Sequence, residues 1–306
     1  MDGLQNSDGV ARETREIACA ADGNVNLAGG HAEDVSGGGG VTFVRCERLS
    51  DSVTLYLGDC LDIIPTLGKV DDVFSDPPYE AHMHAAKRGV KVYGSDRRIR
   101  IDGHANPPPV DFASIDGVRE PAAHLMVKAC SGWLLIFCTP EGITPWRDAI
   151  EAEGARYKRA CFWYKPDSAP QFNGQGPAFA VEAFVTAWCG DGLSKWNGGG
   201  RRNLFEHPTN ARDRHGVHPT EKPVGLMCEL VDLFTQRDAL ILDPFMGSGT
   251  TGVAAVKRGR RFIGIENNPA YFEIACQRIA DALARPDMFV PAVPKYRQPK
   301  LFGRPV

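Results

Sequence analysis

The stretch ALILDPFMGSGTTGVAAVKRGRRFIGIENNPAYFEIACQRIADAL, residues 239–283, constrains the fold more than any other part of the chain. A short apolar run ends at Asp243 and Pro244, and a turn carrying Gly247 and Gly249 follows. Next come a segment with helical spacing, a second apolar run ending at Glu266, and a helix opened by Asn268 as cap with Pro269 at its first position. Strand, glycine turn, helix, strand, helix is a βαβα unit. Its strands run parallel and need both faces of their sheet covered. The same rhythm occurs upstream in VTLYLG, DDVFS before two prolines, WLLIFC, the helix candidate TPWRDAIEAEG, and YKRACFWY. An α/β fold with a buried, largely parallel sheet is expected.

Residues 1–40 are polar and glycine-rich, and they bury too little apolar surface to offset ordering entropy, so a disordered tail is expected there. Residues 286–306 carry several prolines and basic groups and are expected to run extended over the surface, leaving 41–285 as the folded domain. Across 306 residues, 43% are hydrophobic and 24% charged, the composition of an ordinary soluble chain. A net charge of -3 gives no global attraction for nucleic acid, so such a partner would need a local basic face. Nine cysteines without a CxxC pair fit reduced thiols. With no apolar run of membrane-spanning length and no charged-then-apolar leader, a soluble cytoplasmic protein is expected.

Gly247, Gly249 and Gly252 match GxGxxG, and Glu266 ends the next strand, the layout of a dinucleotide site. The pattern alone also fits an NAD-dependent oxidoreductase or a purely structural turn. No lysine follows in the GK[ST] arrangement, which disfavours a P-loop. The turn carries a bulky Phe245, whereas a turn receiving pyrophosphate favours small residues and bare amides. A nucleoside without phosphates suits it better, and S-adenosylmethionine fits. Glu266 would take the ribose diol, and the glycine turn and Asp243 would lie beside the amino-acid portion.

SDPPYE, residues 75–80, ends another apolar run. Two consecutive prolines stop strand pairing and fix an aspartate beside an aromatic ring. Such a pair suits chemistry on a planar amine. The exocyclic amine of adenine or cytosine is a poor nucleophile because its lone pair is delocalised into the ring. Hydrogen bonds from the amine to Asp76 and to the Pro77 carbonyl would draw the nitrogen toward tetrahedral geometry, while Tyr79 stacks on the base. Taken alone, DPPY could also be only a stiff turn.

DPPY at 76–79, HPTEKP at 218–223, DPFMGSGTT at 243–251 and FIGIENNPAYFEIACQRI together resemble the amino-group DNA methyltransferases, N6-adenine and N4-cytosine. DPPY precedes the glycine turn, an order that resembles the permuted beta class of that family. The resemblance covers most of residues 50–285 and implies a Rossmann-like, doubly wound, mostly parallel sheet of about seven strands. It implies S-adenosyl-L-methionine as cofactor and a catalytic set of Asp76, Pro77, Pro78 and Tyr79. Asp59 and the backbone at Cys60 would lie against the cofactor's adenine, and Thr220 and Lys222 would contact its carboxylate. Asp243, Pro244, Phe245, Gly247, Gly249, Thr250, Glu266 and Asn267 would complete its site. Outside the resemblance, HPTEKP reads equally as a surface loop with a charge pair. Asp76 resembles the adenine subgroup, whereas the cytosine-N4 subgroup commonly has serine there.

Double-stranded DNA is the implied partner, and the resemblance allows a homodimer. Residues 81–120 are expected to form a mobile basic loop in which Lys87, Arg88, Lys91, Arg97, Arg98 and Arg100 meet phosphates, with a solvated charge run as the alternative. Residues 190–217 are a short candidate target-recognition segment. Arg201, Arg202, Arg212 and Arg214 there suit phosphates or guanine edges, and Asn203 suits an adenine edge. Its brevity predicts a short recognition site or relaxed specificity, checked by mapping methylation on a plasmid. Lys165 is a further candidate DNA contact, and Trp163 and Tyr164 are candidates to wall the base pocket, with Phe162 in the core. His82 and His84 have no third ligand at suitable spacing, so no metal is expected.

Overall fold

The computed structural model describes residues 43–79, 115–168, 176–209 and 221–285. Both expected tails and the HxH pair lie outside these residues, as does the expected basic loop up to residue 114. The strands are β1 (Phe43–Ser50), β2 (Val53–Gly58), β3 (Asp72–Ser75), β4 (Trp133–Cys138), β5 (Arg156–Tyr164), β6 (Val181–Trp188), β7 (Leu204–Glu206), β8 (Leu240–Asp243) and β9 (Arg261–Glu266). The helices are α1 (Cys60–Ile63), α2 (Arg119–Ala129), α3 (Ile143–Ala152), α4 (Val224–Phe234), α5 (Thr250–Lys257) and α6 (Pro269–Ala284).

One sheet runs in the order β1-β2-β9-β8-β3-β4-β6-β5-β7. The span β2-β9-β8-β3-β4 is parallel throughout, which puts the glycine-turn strand β8 directly beside the DPPY strand β3. Among the described residues the sheet has nine strands rather than about seven, because both edges are extended. β1, with Arg45, Glu47 and Arg48 spaced through it, pairs antiparallel to β2. The three-residue β7 adds to β5. β6 runs antiparallel between β4 and β5, so its amino end lies at the same pole as the carboxyl ends of β3 and β8.

Alternation along the strands divides the core in two, because successive side chains point to opposite faces. Val53, Leu55, Leu57, Phe74, Leu135, Phe137 and Phe262 pack with α4, α5 and α6, while Tyr56, Val73, Leu134, Ile136, Leu242 and Ile265 pack with α1, α2 and α3. Helices therefore cover both faces, as a doubly wound sheet requires.

The expected 81–120 loop is shorter than predicted at its carboxyl end. Ile115–Gly117 form a 3-10 turn with Ile115 fully buried, and Arg119 begins α2. The anchor is apolar burial, which propensity around the prolines of this segment did not reveal. Cys60, Cys130, Cys138, Cys161, Cys189, Cys228 and Cys276 are free thiols, whereas Cys46 is disulfide-bonded, against the expectation of thiols throughout. Among the described residues no helix is long and apolar enough to cross a membrane.

Candidate active site

The site is built at the carboxyl ends of β2, β9, β8 and β3, neighbours in the sheet in that order. At about 4.8 Å per strand these ends span about 14 Å, an extended crevice. Asp59 follows β2 and caps α1, its Oδ1 accepting from the Leu61 amide at 2.8 Å. Cys60 points into the core, where burial pushes its thiol up to about 12, so only its backbone is offered to a ligand. Glu266 ends β9, with Leu57 of β2 as its register partner. Its carboxylate accepts from the Gly247 amide at 2.9 Å and from the Asn268 amide at 2.8 Å, and burial raises its pKa. One acidic residue thus ties the glycine turn to the cap of α6. Asn267, beside it, is exposed.

Asp243 ends β8 and is 1% exposed. Its Oδ1 accepts from the Phe245 amide at 3.1 Å, and burial pushes its carboxyl to about 7 against that bond and one from Thr251. The turn then needs left-handed backbone at Gly247 (φ 52°) and Gly249 (φ 82°). A Cβ on Gly249 would lie 2.9 Å from the Ala275 Cβ, whereas one on Gly247 would meet nothing within 4 Å. Gly249 is glycine for packing of the turn on α6, and Gly247 borders open space. Thr250 starts α5 with its hydroxyl accepting from Arg278 at 3.3 Å, and Phe245 packs partly buried against the α1–α3 side of the core.

On the neighbouring strand, β3 delivers Asp76, Pro77, Pro78 and Tyr79. Asp76 keeps 29% of its side-chain exposure, and its Oδ2 accepts from the Lys222 ammonium at 2.6 Å. Lys222, 5% exposed, also pairs with Glu182 Oε1 at 2.7 Å and reaches the Tyr79 hydroxyl at 3.4 Å. Tyr79 donates to the same Glu182 oxygen at 2.5 Å, and Lys165 pairs with the other at 2.7 Å. Two carboxylates and two ammonium groups therefore balance in one cluster around the tyrosine. Burial raises the Asp76 pKa against the pull of Lys222. Burial opposes ionisation of Glu182 too, but Lys222 and Lys165 outweigh it and hold that carboxyl at about 2. The two acids likewise keep Lys222 protonated despite burial.

The sequence-derived set is thus mostly gathered at one pole, with several reassignments. Lys222, expected at a cofactor carboxylate, is engaged by Asp76 and Glu182. Thr220 lies outside the described residues. Lys165, expected on DNA, is spent on Glu182 and on the Trp163 ring 4.4 Å away, because it follows the strand that flanks β6. Trp163 is 3% exposed and donates its indole N–H to the His207 carbonyl at 2.7 Å, so it is core rather than pocket wall, while Tyr164 is exposed. Phe162 packs partly buried in the core as expected.

Asn203 donates to the Ala160 carbonyl at 2.8 Å, and Arg201 pairs with Glu229 and lies over the Phe205 ring. Both precede β7, whose amino end faces away from the DPPY pole because β7 runs parallel to β5. Arg202 is exposed there, and Lys87, Arg88, Arg97 and Arg98 lie outside the described residues. Glu221 and Lys222 are 6% and 5% exposed, which sets aside the surface-loop reading of HPTEKP.

Three residues escaped the sequence reasoning. Glu182 had a signal, a lone acid in the apolar strand VEAFVTAW. Glu221 lies within HPTEKP, but its partner, Arg278, is 57 residues away and carries no local signal. Arg278 of α6 donates to the Ser248 carbonyl at 2.7 Å, to its hydroxyl at 2.8 Å and to Glu221 at 2.6 Å, joining glycine turn and HPTEKP from a helix with no distinguishing pattern there.

The pole fits S-adenosylmethionine on its own features: open space beside Gly247, a buried acid at the turn, and a second acid on the strand next door. The DNA methylase model of the N6/N4 methyltransferase family matches residues 70–277. The Type II methyltransferase M2.LlaDCHI of Lactococcus lactis subsp. cremoris is 31% identical over 257 residues, 79% of this chain and 94% of that protein. The solved structure of M1.HpyAVI with S-adenosylmethionine superposes with a TM-score of 0.56 at 24% identity, covering 74% of this chain and 98% of that one. The cytosine-N4-specific PvuII DNA methyltransferase superposes with a TM-score of 0.54 at 17% identity, covering 77% and 93%. With more than half its length matched, the chain belongs to the N6/N4 DNA methylase family.

Proposed function

We propose that the protein transfers a methyl group to the N6 amine of adenine flipped out of double-stranded DNA. The family acts on DNA with S-adenosyl-L-methionine as methyl donor, and membership in it removes the oxidoreductase reading of the glycine turn. Bound at the crevice, that cofactor supplies an already activated methyl group, so the chain's task is alignment and electrostatics. Glu266 and Asp59 would hold its nucleoside end, Asp243 and the glycine turn its amino-acid end, and β3 would present the base next to them. Asp76 and the Pro77 carbonyl would accept the two N–H groups of the amine and localise its lone pair toward the methyl carbon. Tyr79 would stack on the base and hold it out of the duplex. Methylation would cost the amine one proton, and Asp76, as the acceptor of one of its N–H groups, would be placed to receive it.

The observation that carries this reading is Asp76, part-exposed and paired through Oδ2 with Lys222, just past the end of the strand adjoining the glycine turn. Adenine rather than cytosine rests on aspartate before the two prolines, as in the adenine subgroup the motif resembles. Incubation with unmethylated DNA and S-adenosylmethionine, followed by nucleoside digestion and mass spectrometry, should yield N6-methyladenine. N4-methylcytosine would keep the mechanism and correct the base.

A further inference from the structure

Glu182 enters the site from β6, on the far side of β4 from β3, and is 5% exposed. Such a carboxylate is retained in an apolar strand only where it is paired. Its two oxygens meet three donors: Oε1 takes the Lys222 ammonium at 2.7 Å and the Tyr79 hydroxyl at 2.5 Å, and Oε2 takes Lys165 at 2.7 Å. Each partner on Oε1 belongs to the base pocket. Lys222 also reaches Asp76 Oδ2 at 2.6 Å, so Glu182 and Asp76 share one ammonium.

We propose that Glu182 is a positioning residue of the methyl transfer, sharing Lys222 so that Asp76 remains an acceptor for the amine and fixing the Tyr79 ring on which the base stacks. This rests on reading Asp76 to Tyr79 as the base pocket. Without the Glu182 charge, the whole Lys222 ammonium would fall on Asp76. A carboxylate drawn into a single-partner ion pair is a weaker acceptor for a neutral amine. Tyr79 would at the same time lose the acceptor that sets its rotation, and misplacement of a reacting partner is costly in rate.

The groups that face Asp76 and Glu182 are Lys222 ahead of α4, Lys165 after β5, Tyr79 after β3 and Asp243 at the end of β8, while Cys138 at the end of β4 faces Tyr79. Among these the Glu182 charge opposes ionisation of Asp76, so its removal should make Asp76 easier to ionise. That sign separates a role through Asp76 from general damage to the fold.

The test uses the full chain and the DNA it methylates, with single-turnover rates across pH for Glu182→Gln and Glu182→Asp and cofactor affinity by calorimetry. For Glu182→Gln the rate should fall on the order of 10²-fold, with cofactor affinity kept within about threefold and the acid limb of the rate profile moved to lower pH. Glu182→Asp keeps the charge and shortens the reach, so it should retain the wild-type acid limb and recover part of the rate. A Gln variant with wild-type rate and profile overturns the assignment, and so does a slow variant whose acid limb has not moved. A wild-type protein that yields no methylated base overturns the pocket reading and this assignment together. A methylating wild type matched by the Gln variant overturns only the role of Glu182.

Discussion

Asp76 and Asp243 lie at the carboxyl ends of adjacent strands, desolvation raises the carboxyl of each above an ordinary aspartate, and each is expected to leave its mark on a pH profile. In the proposed transfer Asp76 is an ionised acceptor, so turnover should be lost as pH falls through a value above the usual aspartate range. Asp76→Ala should lower turnover on the order of 10³-fold or more while leaving cofactor binding largely intact, because the residue lies on β3 and not on the glycine turn; methylation assays beside calorimetry check both halves. Asp243 sits at about 7 before ligand arrives, and a cationic ammonium beside it favours its ionised form. Cofactor affinity should therefore rise with pH through that value and level off above it. Near neutrality binding should release protons, seen as buffer-dependent binding enthalpy, and Asp243→Asn should abolish the dependence.

At the scale of elements, the glycine turn between β8 and α5 separates two reasons for having no side chain. Gly249→Ala adds a Cβ 2.9 Å from Ala275 at a backbone φ of 82°. It should cost about 1–3 kcal/mol of stability by urea unfolding, since neither the backbone of α6 nor the left-handed conformation can yield. Gly247→Ala has the same left-handed backbone but open space before it. It should cost only about 1 kcal/mol and instead weaken cofactor affinity, as its methyl projects into the crevice. The elements that sequence pattern exposed were those with strong apolar signatures. VTLYLG, DDVFS, WLLIFC and YKRACFWY are β2, β3, β4 and β5, and Asn268 caps α6 by accepting from the Ala270 amide at 2.9 Å. β1 and β7 were missed because edge strands carry charge and need no continuous apolar run, and β6 because a buried acid interrupts it.

On the scale of the molecule, Arg278 joins parts of the chain that no single motif contains. From α6 it holds the Ser248 turn with one nitrogen and Glu221 with another, and Glu221 precedes the lysine that pairs with Asp76. The pair is nearly sealed from water, with side-chain exposures of 7% and 1%. Arg278→Ala should destabilise the fold by about 3–5 kcal/mol, the usual cost of leaving one buried charge behind. Arg278→Lys keeps the charge but reaches fewer acceptors, so it should weaken cofactor affinity more than stability; chemical denaturation and calorimetry separate the two effects.

The sequence alone determined the sheet's parallel centre, because apolar strands covered on both faces leave a continuous apolar run. It determined the glycine turn, because glycine takes left-handed backbone at the least cost and leaves room for close packing on the next helix. It also located Asp76, Asp243 and Glu266, because each ends or directly follows such a strand. Only the tertiary structure decided how charge is distributed among them. Pairing of Asp76 with Lys222 joins residues 146 positions apart, and that of Tyr79 with Glu182 joins residues 103 apart. The second depends on β6 entering the sheet antiparallel, which brings its amino end, and Glu182 with it, to the carboxyl pole of its neighbours. A local pattern records which residue terminates a strand, whereas the partner of a buried charge follows from the order and direction in which strands are laid side by side.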